Sequence, residues 1–126
     1  MTMTLSGDGA ITGLVAGGLP DATITQADLD TATSFAGTKT ANGYQKLPNG
    51  LVLQWGIVTS AANPTGITFP VAFSTAVLGI TFGNTSGVNV TTNAVAVTTS
   101  GFNFNSFAPP TGAFAAVTSY WFALGY

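Results

Sequence analysis

Only six side chains in this 126-residue chain carry a formal charge, and all of them precede Leu47: Asp8, Asp21, Asp28, Asp30, Lys39 and Lys46. There is no His, Cys, Glu or Arg. Asp28-x-Asp30 is the one close pair of carboxylates. It could offer oxygens to a hard cation or act as the acid and base of a glycosidase. No third or fourth oxygen-rich position surrounds it in calcium-loop spacing, so it reads as a solvated or capping acidic turn. The 80 residues from Leu47 to Tyr126 contain no ionisable side chain except Tyr. General acid–base catalysis needs His, Asp, Glu or Lys beside a pocket, and transition-metal sites need His, Cys or carboxylates. The sequence therefore predicts no enzyme, no metal site and no cofactor.

What remains is hydrogen bonding and stacking. Uncharged polar residues and aromatics on loops can hold a glycan or a protein loop. The candidates are Asn84, Thr85, Ser86 and Asn89 in one turn, with Asn105, Phe107, Pro109, Pro110 and Thr111 in another segment. Asn103 joins Asn105 as a candidate, and Phe102, Phe104 and Phe107 read first as core or subunit-interface residues. The sequons at Asn84 and Asn89 carry no weight, because 8 Asn among 29 Ser and Thr produce such triplets by chance.

The elements that must position these loops are strands. From Tyr44 onward the apolar residues alternate with period two, and turn signals interrupt them regularly. Leu51, Leu53, Trp55 and Ile57 alternate with Val52, Gln54, Gly56 and Val58. A short strand at Ile67–Phe69 ends at Pro70. Strands follow over Val77–Phe82, Val88–Thr92, Ala94–Thr99 and Phe102–Asn105, and the last is predicted to run unbroken from Phe114 to Tyr126. The expected fold is all-β, an antiparallel sandwich of about six to eight short strands. Residues 1–43 form a mostly irregular N-terminal arm for attachment or trimerisation, and 44–126 form the sandwich domain. Within the arm, Thr25 and Asp28 fit the capping positions of a short helical turn reaching Ala32 or Ser34.

Charge bounds the partners. Charged residues make up 5% of the chain against roughly a quarter in average soluble domains, and the net charge is −2. Without clustered Lys and Arg there is no surface for phosphate, so nucleic acid is excluded. No run approaches the ~18 apolar residues of a membrane helix, and Met1-Thr2-Met3-Thr4 lacks the basic start of a signal peptide. A small sheet domain without disulfides, metal or protective edge lysines is more stable in several copies than alone.

Specific motifs then add to this reading. Gly43-Tyr44-Gln45-Lys46-Leu47-Pro48-Asn49-Gly50-Leu51-Val52-Leu53-Gln54-Trp55-Gly56 resembles the opening of the C-terminal domain of phage tail fibre proteins. Phe69-Pro70-Val71-Ala72-Phe73 is similar to the Phe-Pro-x-x-Phe that follows there, and Gly101-Phe102 to the Gly-Phe before the penultimate strand. Tyr120-Trp121-Phe122-Ala123-Leu124-Gly125-Tyr126 resembles the family's C-terminus. The motif residues Tyr44, Pro48, Gly50, Trp55, Gly56, Phe69, Pro70, Trp121, Gly125 and Tyr126 have scaffold tasks. Asn49-Gly50 supplies a positive-φ turn, the indoles supply apolar area with N–H groups that need partners, and Gly56 and Gly125 admit close approach beside bulky rings.

The resemblance implies a homotrimeric fibre tip in the virion. It would adhere without enzymatic activity to a host surface glycan or outer-membrane protein, and contact other virion tail or fibre proteins through the arm. No membrane insertion is implied. The alternative within the same fold is a structural virion protein (a collar, head fibre or fibre connector). Such fibres are usually long, so the short stretch before the domain implies a fragment or a short attached protein.

Overall fold

The computed structural model describes residues 35–126, so the predicted capping turn, Asp8, Asp21 and the Asp28/Asp30 pair lie outside the described residues. The described chain forms nine strands: β1 (Gly37–Thr38), β2 (Gly43–Lys46), β3 (Val52–Thr59), β4 (Thr65–Thr68), β5 (Val77–Asn84), β6 (Thr91–Val95), β7 (Gly101–Ala108), β8 (Ala113–Phe114) and β9 (Thr118–Gly125). All pairings are antiparallel. One sheet has the order β1-β2-β3-β9-β5; the other has β4-β7-β6, with β8 paired to β7. The two layers form a sandwich, as the alternation predicts. Phe35 already takes part, since its carbonyl accepts a hydrogen bond from Gln45 Nε2 at 2.8 Å.

Period-two alternation decides which side chains meet between the layers. From the five-stranded sheet come Val52, Val58, Trp121 and Ala123; from the four-stranded sheet come Phe102 and Phe104. Phe69, Phe73 and Val117, on the connections, complete the core. Trp121 is 1% exposed and Phe104 fully buried. Phe102 stands at 81° to the Trp121 ring with centroids 5.7 Å apart, and Phe69 at 62° and 5.8 Å. Phe69 also meets Phe73 edge-on at 5.0 Å. Edge-to-face contacts of this kind add to the gain from area burial.

Two side-chain amides, one buried and one half-buried, bridge separate segments as if they were pieces of backbone. Gln54, fully buried on β3, donates from Nε2 to the Val71 carbonyl at 2.8 Å and accepts from the Val71 N–H at 3.1 Å. Asn63 donates to the Ser106 carbonyl at 2.8 Å and accepts from the Ser106 N–H at 2.9 Å. Replacing Gln54 by Leu keeps the volume but leaves both Val71 groups without partners. The expected loss is about 2–4 kcal/mol, read as a lower urea midpoint at unchanged m-value.

Two strand expectations need correction. The strands expected over Val88–Thr92 and Ala94–Thr99 are a single strand, β6. It stops because Ala96 takes a positive φ of 48° and Thr98 folds the chain back. The Thr98 hydroxyl accepts from the N–H groups of Ser100 (3.3 Å) and Gly101 (3.2 Å), so a side chain captures donors that a ladder would use. The expected unbroken final strand is two, β8 and β9, because residues 115–117 carry the chain from one sheet to the other. Buried hydroxyls hold that crossing: Ser106 Oγ donates to the Ala115 carbonyl at 2.6 Å, and Ser60 Oγ accepts from the Val117 N–H at 2.9 Å.

Candidate functional site

The motif residues sit where two segments of chain come close. Pro48-Asn49 form the centre of a turn closed by the Gly50 N–H on the Leu47 carbonyl at 3.0 Å. Gly50 follows at φ 85°, and a side chain there would meet open space, so the demand is conformational alone. Gly56 is different. A Cβ on it would stand 2.5 Å from the Trp121 ring. At Gly125 a Cβ would stand 2.6 Å from the Phe73 ring. Tyr44 packs half-buried against the core, Phe69 is within it, and Pro70 and Tyr126 are exposed. Trp55 lies half-exposed across Gly43 and donates its indole N–H to the Thr40 carbonyl at 3.0 Å. Trp121 differs from the expectation that both indoles find partners. Its Nε1 has no acceptor, and the Phe69 and Phe102 rings pack against the side chain.

The polar loop residues come together at one end of the sandwich. β5 runs into the Asn84–Asn89 turn, and β7 runs into the hairpin that carries Pro109, Pro110 and Thr111. The register pair Thr91↔Phe107 joins the exit of the first loop to the base of the second. Thr118, at the start of β9, completes the junction. Its carbonyl accepts from the Thr85 hydroxyl at 2.9 Å, and its N–H donates to Ser86 Oγ at 2.7 Å. The opposite end carries the Pro48–Gly50 turn, the Thr98–Gly101 turn and the chain terminus.

Within this end the side chains divide by how much hydrogen-bonding capacity they retain. Asn84 closes its own turn, donating to the Val88 carbonyl and accepting from the Ser86 N–H at 2.9 Å. Thr85 and Ser86 are held on Thr118. Asn89 is exposed, as are Pro109, Pro110 and Thr111. Thr111 Oγ1 donates to the Ala108 carbonyl at 3.2 Å, and Gly112 turns the hairpin with φ 68°. Asn105 is in the sheet and not in the loop. It lies half-buried on the outer face of β7 opposite Asn93, and its buried Oδ1 has no partner. Phe102 and Phe104 belong to the core, whereas Phe107 projects to the other face of β7, half-buried.

Phe114 is the residue that sequence reasoning missed. The hairpin pairs it with Phe107, and it is 43% exposed, so two aromatic residues occupy paired register positions next to the Pro pair. The signal was the Pro-Pro-Thr-Gly turn, which makes 107 and 114 cross-strand neighbours once Ala108 and Ala113 are paired. The end as a whole offers neutral donors and acceptors around apolar rings, the chemistry that suits sugars or a protein loop. Among the described residues the charged side chains are Lys39 and Lys46 alone, and both precede β3.

Comparison with known proteins agrees with this architecture. Solved pyocin tail fibres have the same fold. The N-truncated R1-type pyocin tail fibre is 25% identical, with a TM-score of 0.58 over 72% of this chain and 84% of that one. The N-truncated R2-type fibre is 26% identical with a TM-score of 0.60. It is matched over 99% of this chain and 55% of its own length. The R2 pyocin fibre of P. aeruginosa, comprising C-terminal residues 323–691, is 25% identical with a TM-score of 0.62, and this chain spans 37% of it. No curated protein matches the sequence significantly. The family model described as "Putative tail fiber protein gp53-like, C-terminal" matches residues 46–126. That span takes in the sheets from the end of β2 to the terminus, and the chain belongs to this family of tail fibre proteins, components of the fibres of phage or phage-like particles.

Proposed function

We propose that the chain is the adhesive end of its fibre and binds the host surface without catalysis. The observation that carries this reading is the convergence of two uncharged loops at one end of a rigid sandwich, through Thr91↔Phe107 and the Thr118 hydrogen bonds. Loops on rigid scaffolds commonly carry recognition. Asn84, Thr85 and Ser86 shape the loop, while Asn89, Phe107, Pro109, Pro110 and Thr111 meet the receptor, with Phe114 extending the stacking surface. Asn105 contributes from the adjoining sheet face. The partner is a neutral glycan or a protein loop on the host. Several copies presenting the same end add their weak contacts by multivalency. The stretch ahead of Phe35 serves as the arm that joins other tail or fibre proteins, while residues 35–43, expected in that arm, pair into the five-stranded sheet through β1 and the start of β2.

The test is competition. Purified chain is expected to inhibit particle adsorption, and the double substitution Asn89→Ala, Pro110→Ala to weaken that inhibition roughly tenfold, about the worth of one good contact. Full inhibition by the variant contradicts the assigned loops. Absence of inhibition by the wild type points instead to a structural virion protein. Adsorption should also change little between low and high ionic strength, because no Lys or Arg lies beyond Lys46 to be screened. A steep loss with salt would assign the contact to the charged arm.

A further inference from the structure

Eight asparagines occur in the chain, and two of them, Asn42 and Asn49, precede glycine. In that dipeptide an asparagine side chain meets its own backbone most easily. Glycine has no Cβ to keep the side-chain carbonyl carbon, Cγ, away from the next backbone nitrogen. At the other six the following residue carries a side chain, and after Asn63 it is Pro64, whose nitrogen has no hydrogen to lose. By dipeptide alone Asn42 and Asn49 are equivalent. The fold makes them different.

Asn42 is tied away from its own backbone. Its Oδ1 accepts the Ile57 N–H of β3 at 2.9 Å, and its carbonyl accepts the Thr40 hydroxyl at 2.6 Å. Gly43 is buried at the start of β2 opposite Trp55, where a Cβ would press on the Thr38 carbonyl and the Trp55 ring. The peptide between Asn42 and Gly43 cannot turn unless the β2–β3 pairing opens. Asn49 is placed the other way. It lies exposed in the turn between β2 and β3, and Gly50 is exposed at φ 85° with nothing within 4 Å of a Cβ. Asn49 Oδ1 accepts the Leu51 N–H at 3.2 Å. That bond closes a ring containing Asn49 Cγ and the Gly50 nitrogen, so it folds the side chain back over the atom that can attack it. The Gly50 N–H is held by the Leu47 carbonyl at 3.0 Å, in an exposed turn that can open without separating any strands.

We propose that Asn49 is a site of spontaneous deamidation, in a fold that protects Asn42. The Gly50 amide nitrogen gives its proton to hydroxide and attacks Asn49 Cγ. The new N–Cγ bond forms as the Cγ–Nδ2 bond breaks, and Nδ2 takes a proton from water and leaves as ammonia. Water then opens the cyclic imide. Addition at Cγ leaves aspartate; addition at the Asn49 backbone carbonyl leaves isoaspartate, with the chain running through Cβ and Cγ. One amide and one water become one acid and one ammonia, with no oxidation or reduction. Either product puts a carboxylate into the stretch after Lys46, which has no charged side chain of its own, and adds one negative charge to the formal net charge of −2. Isoaspartate also adds a backbone carbon between Leu47 and Leu51, whose hydrogen bond at 2.8 Å closes the β2–β3 hairpin. The change therefore falls on the turn that opens the domain, at the end away from the Asn84–Asn89 and Pro109–Thr111 loops. Ageing loosens this hairpin and leaves those loops unmodified.

The full chain is incubated in mildly alkaline buffer, folded in one arm and unfolded by guanidinium chloride in the other. After digestion, trypsin releases Asn42 in the peptide Thr40–Lys46, and chymotrypsin releases Asn49 in a short peptide starting at Leu47. Mass spectrometry counts the conversion of amide to acid at each position, and labelling by isoaspartyl methyltransferase gives the isoaspartate share. In the folded chain Asn49 is expected to convert roughly tenfold or more faster than Asn42, because Asn42 must first lose its Ile57 hydrogen bond and the β2–β3 pairing. In the unfolded chain the two rates should converge. An Asn49 that converts no faster than Asn42 in the folded chain overturns the inference. A preference for Asn49 that persists in guanidinium overturns it too, since the neighbouring residues and not the fold would then decide. Asn49→Gln keeps an amide in the turn but lengthens it past the favoured ring size. It is expected to abolish the acidic species that the folded wild type accumulates on anion exchange, and a variant that accumulates it at the wild-type rate contradicts the assignment.

Discussion

Replacing Trp121 by Ala is expected to cost about 3–5 kcal/mol, the range for removing a buried aromatic and leaving a cavity. The side chain is 1% exposed and is packed by Phe69, Phe102 and the bare backbone of Gly56. Three separate segments therefore lose their shared contact at once. Stabilities of small domains are typically 5–15 kcal/mol, so the variant should sit near its unfolding transition. Denaturation by urea, followed by far-UV circular dichroism at fixed protein concentration, measures this. Fixing the concentration matters because self-association adds to apparent stability. A loss within about 1 kcal/mol would mean that the cavity collapses or fills, and that the core is not organised around this ring.

Gly56→Ala should be nearly as damaging although it adds one methyl group. Its Cβ would press on the Asn42 amide oxygen, itself held by the Ile57 N–H, and stand 2.5 Å from the Trp121 ring on the paired strand β9. We expect a loss of about 3 kcal/mol, the upper end of ordinary overpacking. The same substitution at Gly83, also in a sheet, should be neutral or stabilising for the single copy because nothing lies in its way. The contrast separates steric need from glycine's general cost in strands. Coupling offers a second check. In a Trp121→Leu background the Gly56→Ala penalty should shrink by 1 kcal/mol or more, the mark of residues in contact. Equal penalties in both backgrounds would contradict a ring-dominated clash and assign the penalty to the Asn42 amide oxygen on the glycine's other flank.

Much of this fold is legible in the residue order, and the reasons are local. Asn49-Gly50 announces a turn because a positive φ is required there, and the alternation from Val52 to Thr59 announces a strand because the pleat has period two. The pattern does not reveal which row of that strand faces the core. Hydropathy alone would bury Leu53 and Ile57 and expose Gln54, whereas Gln54 is inside because its amide replaces a missing strand partner at Val71. The break between β8 and β9 was hidden for a similar reason. Residues 115–117 are apolar and continue the pattern, and the hydroxyls that redirect them, Ser60 and Ser106, lie 46 residues apart in sequence. Tertiary partners decide such points. The candidate loops were visible as clusters of Asn, Ser, Thr and Pro. Their convergence was not, since it depends on sheet order and on Thr118, and the pairing of Phe114 with Phe107 follows from the hairpin register alone.

The most direct test of the adhesive reading is to see where the chain sits. A tag on the first residue of the full chain, imaged by electron microscopy on intact particles, is expected at the host-facing end of the tail fibres. Label on the capsid, on the collar, or at a junction partway along a fibre would contradict it and make the chain a structural connector.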